Sequence, residues 1–189
     1  MKIFVSDTDV HLEPIVIIWN NTQILKWGDF KKKSDPDSDA SANSAIGFES
    51  KPLIEYTQKG DQLEYKIKDL QLHAIFIPNL SWVAKNINVK EGILLLKHEQ
   101  GHFDLAEEII RKTRIKTTNF QNVFTVKGKN TDGVKKEVML HVDKIRKKIE
   151  LKLQNEFKNQ ESKYDEKTNH GLIIKHQEKY NKRFKKLRK

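Results

Sequence analysis

Residues 94–110, LLLKHEQGHFDLAEEII, place two histidines and a glutamate inside an apolar helical pattern. At a spacing of 3.6 residues per turn, one face of this helix collects Leu94, Leu95, His98, His102, Leu105 and Ile109. A buried imidazole must find a polar partner, or its burial costs free energy. Both histidines stand where leucines would otherwise pack, so this stretch predicts a helix that borders both a core and a polar site.

The spacing of His98 and His102 indicates a metal ion as the partner of both rings. Side chains four residues apart on a helix lie about 6 Å from each other at Cβ, so two imidazoles can hold one ion. Glu99 lies one helical step round, within reach of a water on that ion. The pattern HEQGH is therefore an HExxH motif, which is typical of zinc hydrolases in which the glutamate is the general base. The alternative is a pair of core histidines with polar neighbours.

A catalytic zinc ion needs a third protein ligand. The chain has no cysteine, so this ligand must be His, Asp or Glu. The extended metzincin pattern would place a histidine six residues after His102, but this chain has Glu108 there. His170 precedes Gly171 in a polar segment that can turn towards a helix from outside. Spacing alone leaves four candidates open, namely His170, His141, Asp165 and Glu107.

The residues before this helix are typical of β-structure. Residues 13–19, EPIVIIW, predict a strand, and residues 29–44 are polar enough for an exposed loop. Residues 44–78 alternate between apolar and polar side chains, with a hairpin turn predicted at Lys59-Gly60-Asp61. Residues 70–77 could bind an extended peptide by edge addition or lie inside the sheet. The residues before the HExxH helix therefore predict a small antiparallel sheet with one solvent-exposed face.

The residues that follow predict further helices. The HExxH helix should run from an N-cap at Asn88 to about residue 116, before a polar loop at 117–133. A second long helix is predicted for 134–160, then a loop for 162–171 and a terminal helix for 172–187. The second helix carries one apolar stripe, made of Val138, Val142, Ile145, Ile149, Leu153 and Phe157. We therefore expect an α+β fold, with the small sheet packed against the HExxH helix and a second long helix.

The net charge of +10 is concentrated at the carboxyl end, where residues 173–189 carry eight Lys or Arg and one acid, Glu178. This segment predicts a solvated helix or tail that contacts anionic surfaces. Nucleic-acid binding is disfavoured, because the segment has only two aromatic residues, Tyr180 and Phe184, and no reading motif. No apolar run reaches the roughly 18 residues of a membrane span. Nothing in the pattern indicates an oligomeric state.

Two motifs resemble a bacterial family of predicted secreted zinc-dependent proteases that is catalogued as a domain of unknown function. They are HEQGHFDLAE at 98–107 and YDEKTNHG at 164–171. The pieces LKWGDFK at 25–31 and FIPNLSWV at 76–83 are also similar, so the resemblance covers about 25–171. The chain departs from the family after DFK, where lysines replace an expected glycine.

The resemblance implies a zincin-like metalloprotease domain over 1–172 that hydrolyses peptides or proteins, followed by the basic segment. It implies zinc bound by His98, His102 and His170, with Glu99 as catalytic base. It also implies a periplasmic or secreted protein whose signal peptide has been removed, because MKIFVSDTDV is too short for a secretory apolar segment. A cytoplasmic protein is the alternative.

Three further hypotheses concern residues around the motif. Tyr164 could donate a hydrogen bond to the oxyanion, or it could pack the loop. Asp165 or Asp104 could orient a zinc-bound histidine through its second ring nitrogen, or each could have only a turn or surface role. The rival function for the whole chain is a zinc-containing binding module without catalysis, in which the fourth zinc position is closed.

Overall fold

The computed structural model describes residues 15–59, 62–117, 123–127 and 131–189. These residues form the predicted α+β fold, with three α-helices and two antiparallel sheets. The strands are β1 (Ile17–Ile18), β2 (Ala42–Asn43), β3 (Ile46–Lys59), β4 (Gln62–Phe76), β5 (Trp82–Val83) and β6 (Val123–Lys127). The helices are α1 (Val89–Thr117), α2 (Thr131–Thr168) and α3 (Ile174–Phe184), with short 3-10 turns at Trp27–Asp29, Pro78–Leu80 and Lys185–Arg188.

The long hairpin of β3 and β4 is the centre of the larger sheet. β3 pairs with the whole of β4, from Ile46 opposite Phe76 to Lys59 opposite Gln62. On its other side, β4 pairs with β1 near its end and with β6 near its start. Residues 75–76 therefore have a strand on both sides, which excludes edge addition of a peptide there. β2 and β5 form a separate two-stranded sheet. The hairpin turn predicted at Gly60-Asp61 lies outside the described residues.

A β-bulge changes which residues of β4 face the core. Leu53 pairs with Asp69 while Ile54 pairs with Ile67, so Lys68 is an extra residue on β4. Before the bulge Tyr65 and Ile67 are buried, and after it the buried positions are Leu70, Leu72, Ala74 and Phe76. One extra residue reverses the alternation of faces. The two alternating segments in the sequence are therefore a single strand.

Helix α1 begins where the sequence predicts and is the most buried helix of the described structure. The backbone N–H of Glu91 donates to Asn88 Oδ1 at 2.9 Å, which confirms Asn88 as the N-cap. Every residue from Gly101 to Glu107 is buried. The predicted stripe of α2 is buried as well, with Ile145 only partly covered. The HExxH motif therefore lies where α1 enters its most buried segment.

Two loop predictions are wrong. α2 continues to Thr168, because Tyr164 and Thr168 extend its buried face beyond the predicted end at residue 160. The helix stops only at Asn169, His170 and Gly171, whose φ angles of 46°, 51° and 86° are left-handed. In the predicted polar loop after α1, residues 123–127 pair with β4 as a strand. At the amino end, only Ile17–Ile18 of the predicted strand is paired among the described residues.

The basic carboxyl-terminal segment packs against α1. Phe184 is buried in the main core cluster, and Tyr180 and Leu187 pack against that cluster. Arg183 forms an ion pair with Glu108 of α1, and Arg188 forms one with Asp104. Within the described residues, no helix is both long enough and apolar enough to cross a membrane.

Candidate metal centre

His98 and His102 lie one turn apart on α1, with their Nε2 atoms 3.1 Å from each other. Both side chains are buried. Burial, together with the neighbouring His98, lowers the pKa of His102 to about 3, so this ring is neutral at neutral pH. A neutral imidazole has a lone pair on one ring nitrogen. The predicted pair therefore offers donor atoms that converge on one point.

Asp165, in the last turn of α2, brings a carboxylate to the same point. Its Oδ1 lies 3.1 Å from His98 Nε2 and 3.3 Å from His102 Nε2. This oxygen is buried and has no hydrogen-bond partner among the described residues. Tetrahedral zinc with bonds of about 2.1 Å would hold its ligand atoms about 3.4 Å apart. The triangle of two nitrogens and one oxygen therefore has nearly the dimensions that a metal ion requires.

His170 stands at the rim of this triangle. It forms a second possible ligand group with His98 and Asp165, in which the ligand atoms lie within 4.8 Å of one another. The left-handed turn lays Gly171 on α1, where an added Cβ would come within 3.0 Å of His98 Cβ. The predicted approach of this turn to the helix is confirmed. Asp165 is nevertheless the residue in contact with both Nε2 atoms, and His170 as the third ligand stays a prediction.

The other two candidate ligands lie elsewhere. A hydrogen bond joins the His141 Nδ1 atom and the Tyr65 hydroxyl. Tyr65 packs with Val138 and Val142 in a core cluster separate from the candidate metal centre. Glu107 forms an ion pair with Arg111 at 2.9 Å. Neither joins the groups of possible metal ligands in the described structure.

Glu99 lies beside the histidines, as the motif predicts. It is 4% exposed, and its Oε2 accepts a hydrogen bond of 2.5 Å from Ser44 Oγ. Burial raises the pKa of Glu99, although Ser44 and His98 act in the opposite direction. A carboxylate of raised pKa is a more effective proton acceptor near neutral pH. Ser44 is a site residue that sequence reasoning missed, since a serine before a strand carries no signal of its own.

The second nitrogen of each histidine faces a residue that the sequence did not indicate. His98 Nδ1 lies 3.2 Å from Gln177 Oε1, and Gln177 belongs to α3 in the basic segment. His102 Nδ1 lies 3.5 Å from Glu161 Oε1 of α2 and has no hydrogen-bond partner among the described residues. Burial and the nearby Asp165 raise the pKa of Glu161 to about 7. A hydrogen-bonded outer partner such as Gln177 orients an imidazole that binds a metal.

Tyr164 packs behind His98. The two rings are stacked with centroids 4.7 Å apart, and the hydroxyl donates to the His98 carbonyl at 3.1 Å. Gly101 permits this contact, because a Cβ there would come within 2.1 Å of the hydroxyl oxygen. The side chain is fully buried. This placement favours the packing role, and Tyr164 as an oxyanion donor stays a prediction.

Asp104 does not orient a histidine. Its Oδ1 accepts a hydrogen bond from Trp19 Nε1 at 2.8 Å and is paired with Arg188. Burial raises the pKa of Asp104, although Trp19 and Arg188 favour its ionised form. The carboxylate is therefore part of the contact between the carboxyl-terminal segment and α1.

The buried group of His98, Glu99 and His102 could hold a metal ion. Asp165 lies against the same histidines, and a cavity of about 430 Å³ opens beside Glu99 and His170. The site therefore combines a group that could hold a metal ion, a carboxylate of raised pKa and space for a ligand. Comparisons with family models, curated proteins and solved structures gave no match.

Proposed function

We propose that this protein is a zincin-like zinc metallopeptidase in which His98, His102 and Asp165 hold the metal and Glu99 is the general base. The observation that carries the proposal is the Oδ1 atom of Asp165, which is buried without a hydrogen-bond partner beside two Nε2 atoms. A carboxylate oxygen held against imidazole nitrogens is stabilised by a shared cation. Two imidazoles and one carboxylate suit zinc better than magnesium or calcium, which prefer oxygen ligands.

The protein's own groups account for most of the chemistry. Zinc, when bound, would polarise the substrate carbonyl and lower the pKa of a water. Glu99 would accept a proton from the attacking water at Oε1, because Ser44 already occupies Oε2. The same carboxylate would then deliver the proton to the leaving amine. Tyr164 and Gln177 close the site from behind, so the substrate enters from the cavity side.

Glu99→Gln tests the proposal. The variant should bind one zinc ion per chain, as the wild type does, yet lose hydrolysis of a mixed peptide library by about 100-fold or more, since the amide accepts no proton. Zinc content is measured by elemental mass spectrometry and hydrolysis by peptide mass spectrometry. The control is Glu178→Gln, an exposed acid of α3. Full activity in zinc-loaded Glu99→Gln contradicts the mechanism. A zinc-loaded wild type that cleaves nothing indicates the binding module instead.

A further inference from the structure

The cavity beside Glu99 has an apolar floor. Its volume is about 430 Å³, and the half-buried side chains of Ile87, Leu94 and Leu95 line it together with Leu172, which is 66% exposed. Cavities of this size accept one or two large side chains of a ligand. Glu99 and His170 also border the cavity. A ligand side chain that enters it would therefore lie next to the peptide bond whose hydrolysis Glu99 would assist.

The rim of the cavity is acidic. Asp39 and Glu91 line it, both are exposed, and none of the described lining residues is Lys or Arg. Asp39 ends the segment 34–39, SDPDSD, which carries three aspartates. The chain as a whole has 36 Lys and Arg and a net charge of +10. A local negative rim in a basic protein attracts cationic groups and repels anionic ones.

The helix geometry sets the distance between the two ends of the cavity. Glu91, Leu95 and Glu99 are spaced four residues apart, so they follow one face of α1. Eight residues at 1.5 Å each separate Glu91 from Glu99 by about 12 Å along the helix. An extended peptide that runs along α1 covers about 7 Å in two residues, which leaves about 5 Å to Glu91. The side chains of Glu91 and of a Lys or Arg two residues from the reacting bond can together span that distance.

We propose that this cavity selects peptides with a large apolar side chain at the cleaved bond and a Lys or Arg within about two residues of it. The proposal rests on the proposed function, because Glu99 defines the position of the bond. The apolar floor provides most of the affinity, and the acidic rim discriminates between charges. Rim charges act over a few ångströms and are screened by salt, so the charge preference should fall as ionic strength rises.

The test uses matched peptides that place Leu at the expected bond and Lys, Gln or Glu two residues away. Zinc-loaded wild type should show a kcat/KM for the Lys peptide about tenfold above that for the Glu peptide, and replacement of Leu by Ala should cost at least tenfold. Glu91→Gln and Asp39→Asn should each reduce the charge preference, and the double variant should abolish it. Glu178→Gln, with the same change of charge elsewhere, should keep the preference.

Binding of the same peptides to zinc-loaded Glu99→Gln, followed by fluorescence anisotropy, separates this proposal from the proposed function. Binding that prefers the Lys peptide without any hydrolysis by the wild type supports the cavity and overturns the peptidase. Hydrolysis with no charge preference, or with an undiminished preference in the double variant, overturns the cavity proposal and leaves the peptidase intact.

Discussion

Asp104 and Asp165 are two carboxylates close to the histidines of α1, and their surroundings differ in kind. Asp104 Oδ1 meets donors, namely Trp19 Nε1, Gln100 Nε2 and the Arg188 guanidinium. Asp165 Oδ1 meets two imidazole nitrogens and has no hydrogen-bond partner among the described residues. A carboxylate surrounded by donors is already neutralised. One that faces imidazole nitrogens without an Arg or Lys beside it gains most from a cation, so the partners of each carboxylate distinguish the structural acid from the proposed metal ligand.

The largest effect is expected for Asp165→Asn, which removes the charge with little change of shape. Zinc affinity should fall by more than the roughly 100-fold that loss of an outer partner costs. In competition with a chromophoric chelator, the variant should lose zinc to the chelator at concentrations where the wild type keeps it. Zinc at 100 times its Kd would stabilise the wild type by about 2.7 kcal/mol, so the zinc-dependent rise in Tm should disappear as well.

Glu166→Gln is the matched control for this change, because Glu166 is the next residue of α2 and is exposed. It should bind zinc as the wild type does. Wild-type zinc affinity in Asp165→Asn, together with loss of zinc in His170→Ala, would instead make His170 the third ligand, as the family resemblance implies.

Asp104→Asn should produce the opposite result, a loss of stability without a loss of zinc. The amide leaves Arg188 without its ionic partner in a contact where the two side chains are 16% and 7% exposed. Breaking a buried pair from one side costs about 3 kcal/mol, which urea unfolding of the metal-free protein would measure. Asp143→Asn, at an exposed ion pair with Lys147, should leave the free energy of unfolding nearly unchanged. Loss of zinc at unchanged stability would remove the distinction between the two aspartates.

The sequence predicts the part of the site that a single helix holds. His98, Glu99 and His102 are recognisable because their geometry depends only on the helical repeat, and the α+β class follows from the two periodicities of the chain. Asp165 remained one of four open candidates, since its position depends on how far α2 extends. Residues 162–171 were predicted to be a loop, whereas burial of Tyr164 and Thr168 keeps the segment helical as far as Thr168.

Contacts between distant segments were not predictable in the same way. Ser44 reaches Glu99 across 55 residues of sequence, and Gln177 reaches His98 across 79. A lone serine or glutamine has no pattern that marks such a contact. The basic composition of residues 173–189 also suggested a solvated tail, because the apolar contacts of Tyr180, Phe184 and Leu187 are spread among lysines.

The smallest expected effect concerns Gln177, which contacts His98 rather than either carboxylate. The side-chain oxygen of Gln177 lies 3.2 Å from His98 Nδ1. As an acceptor it would favour the tautomer with the proton on Nδ1, which would leave the Nε2 lone pair for the proposed metal. Gln177→Leu keeps the volume but removes the acceptor, and zinc affinity should fall 10- to 100-fold in chelator competition. Gln177→Glu restores an acceptor at the same distance and should recover most of that affinity. Gln177 also donates to Tyr164, so a purely packing role would lower the Tm of both metal-free variants and leave their zinc affinities equal. A higher zinc affinity in Gln177→Glu than in Gln177→Leu would show that α3 acts on the metal centre through the orientation of His98.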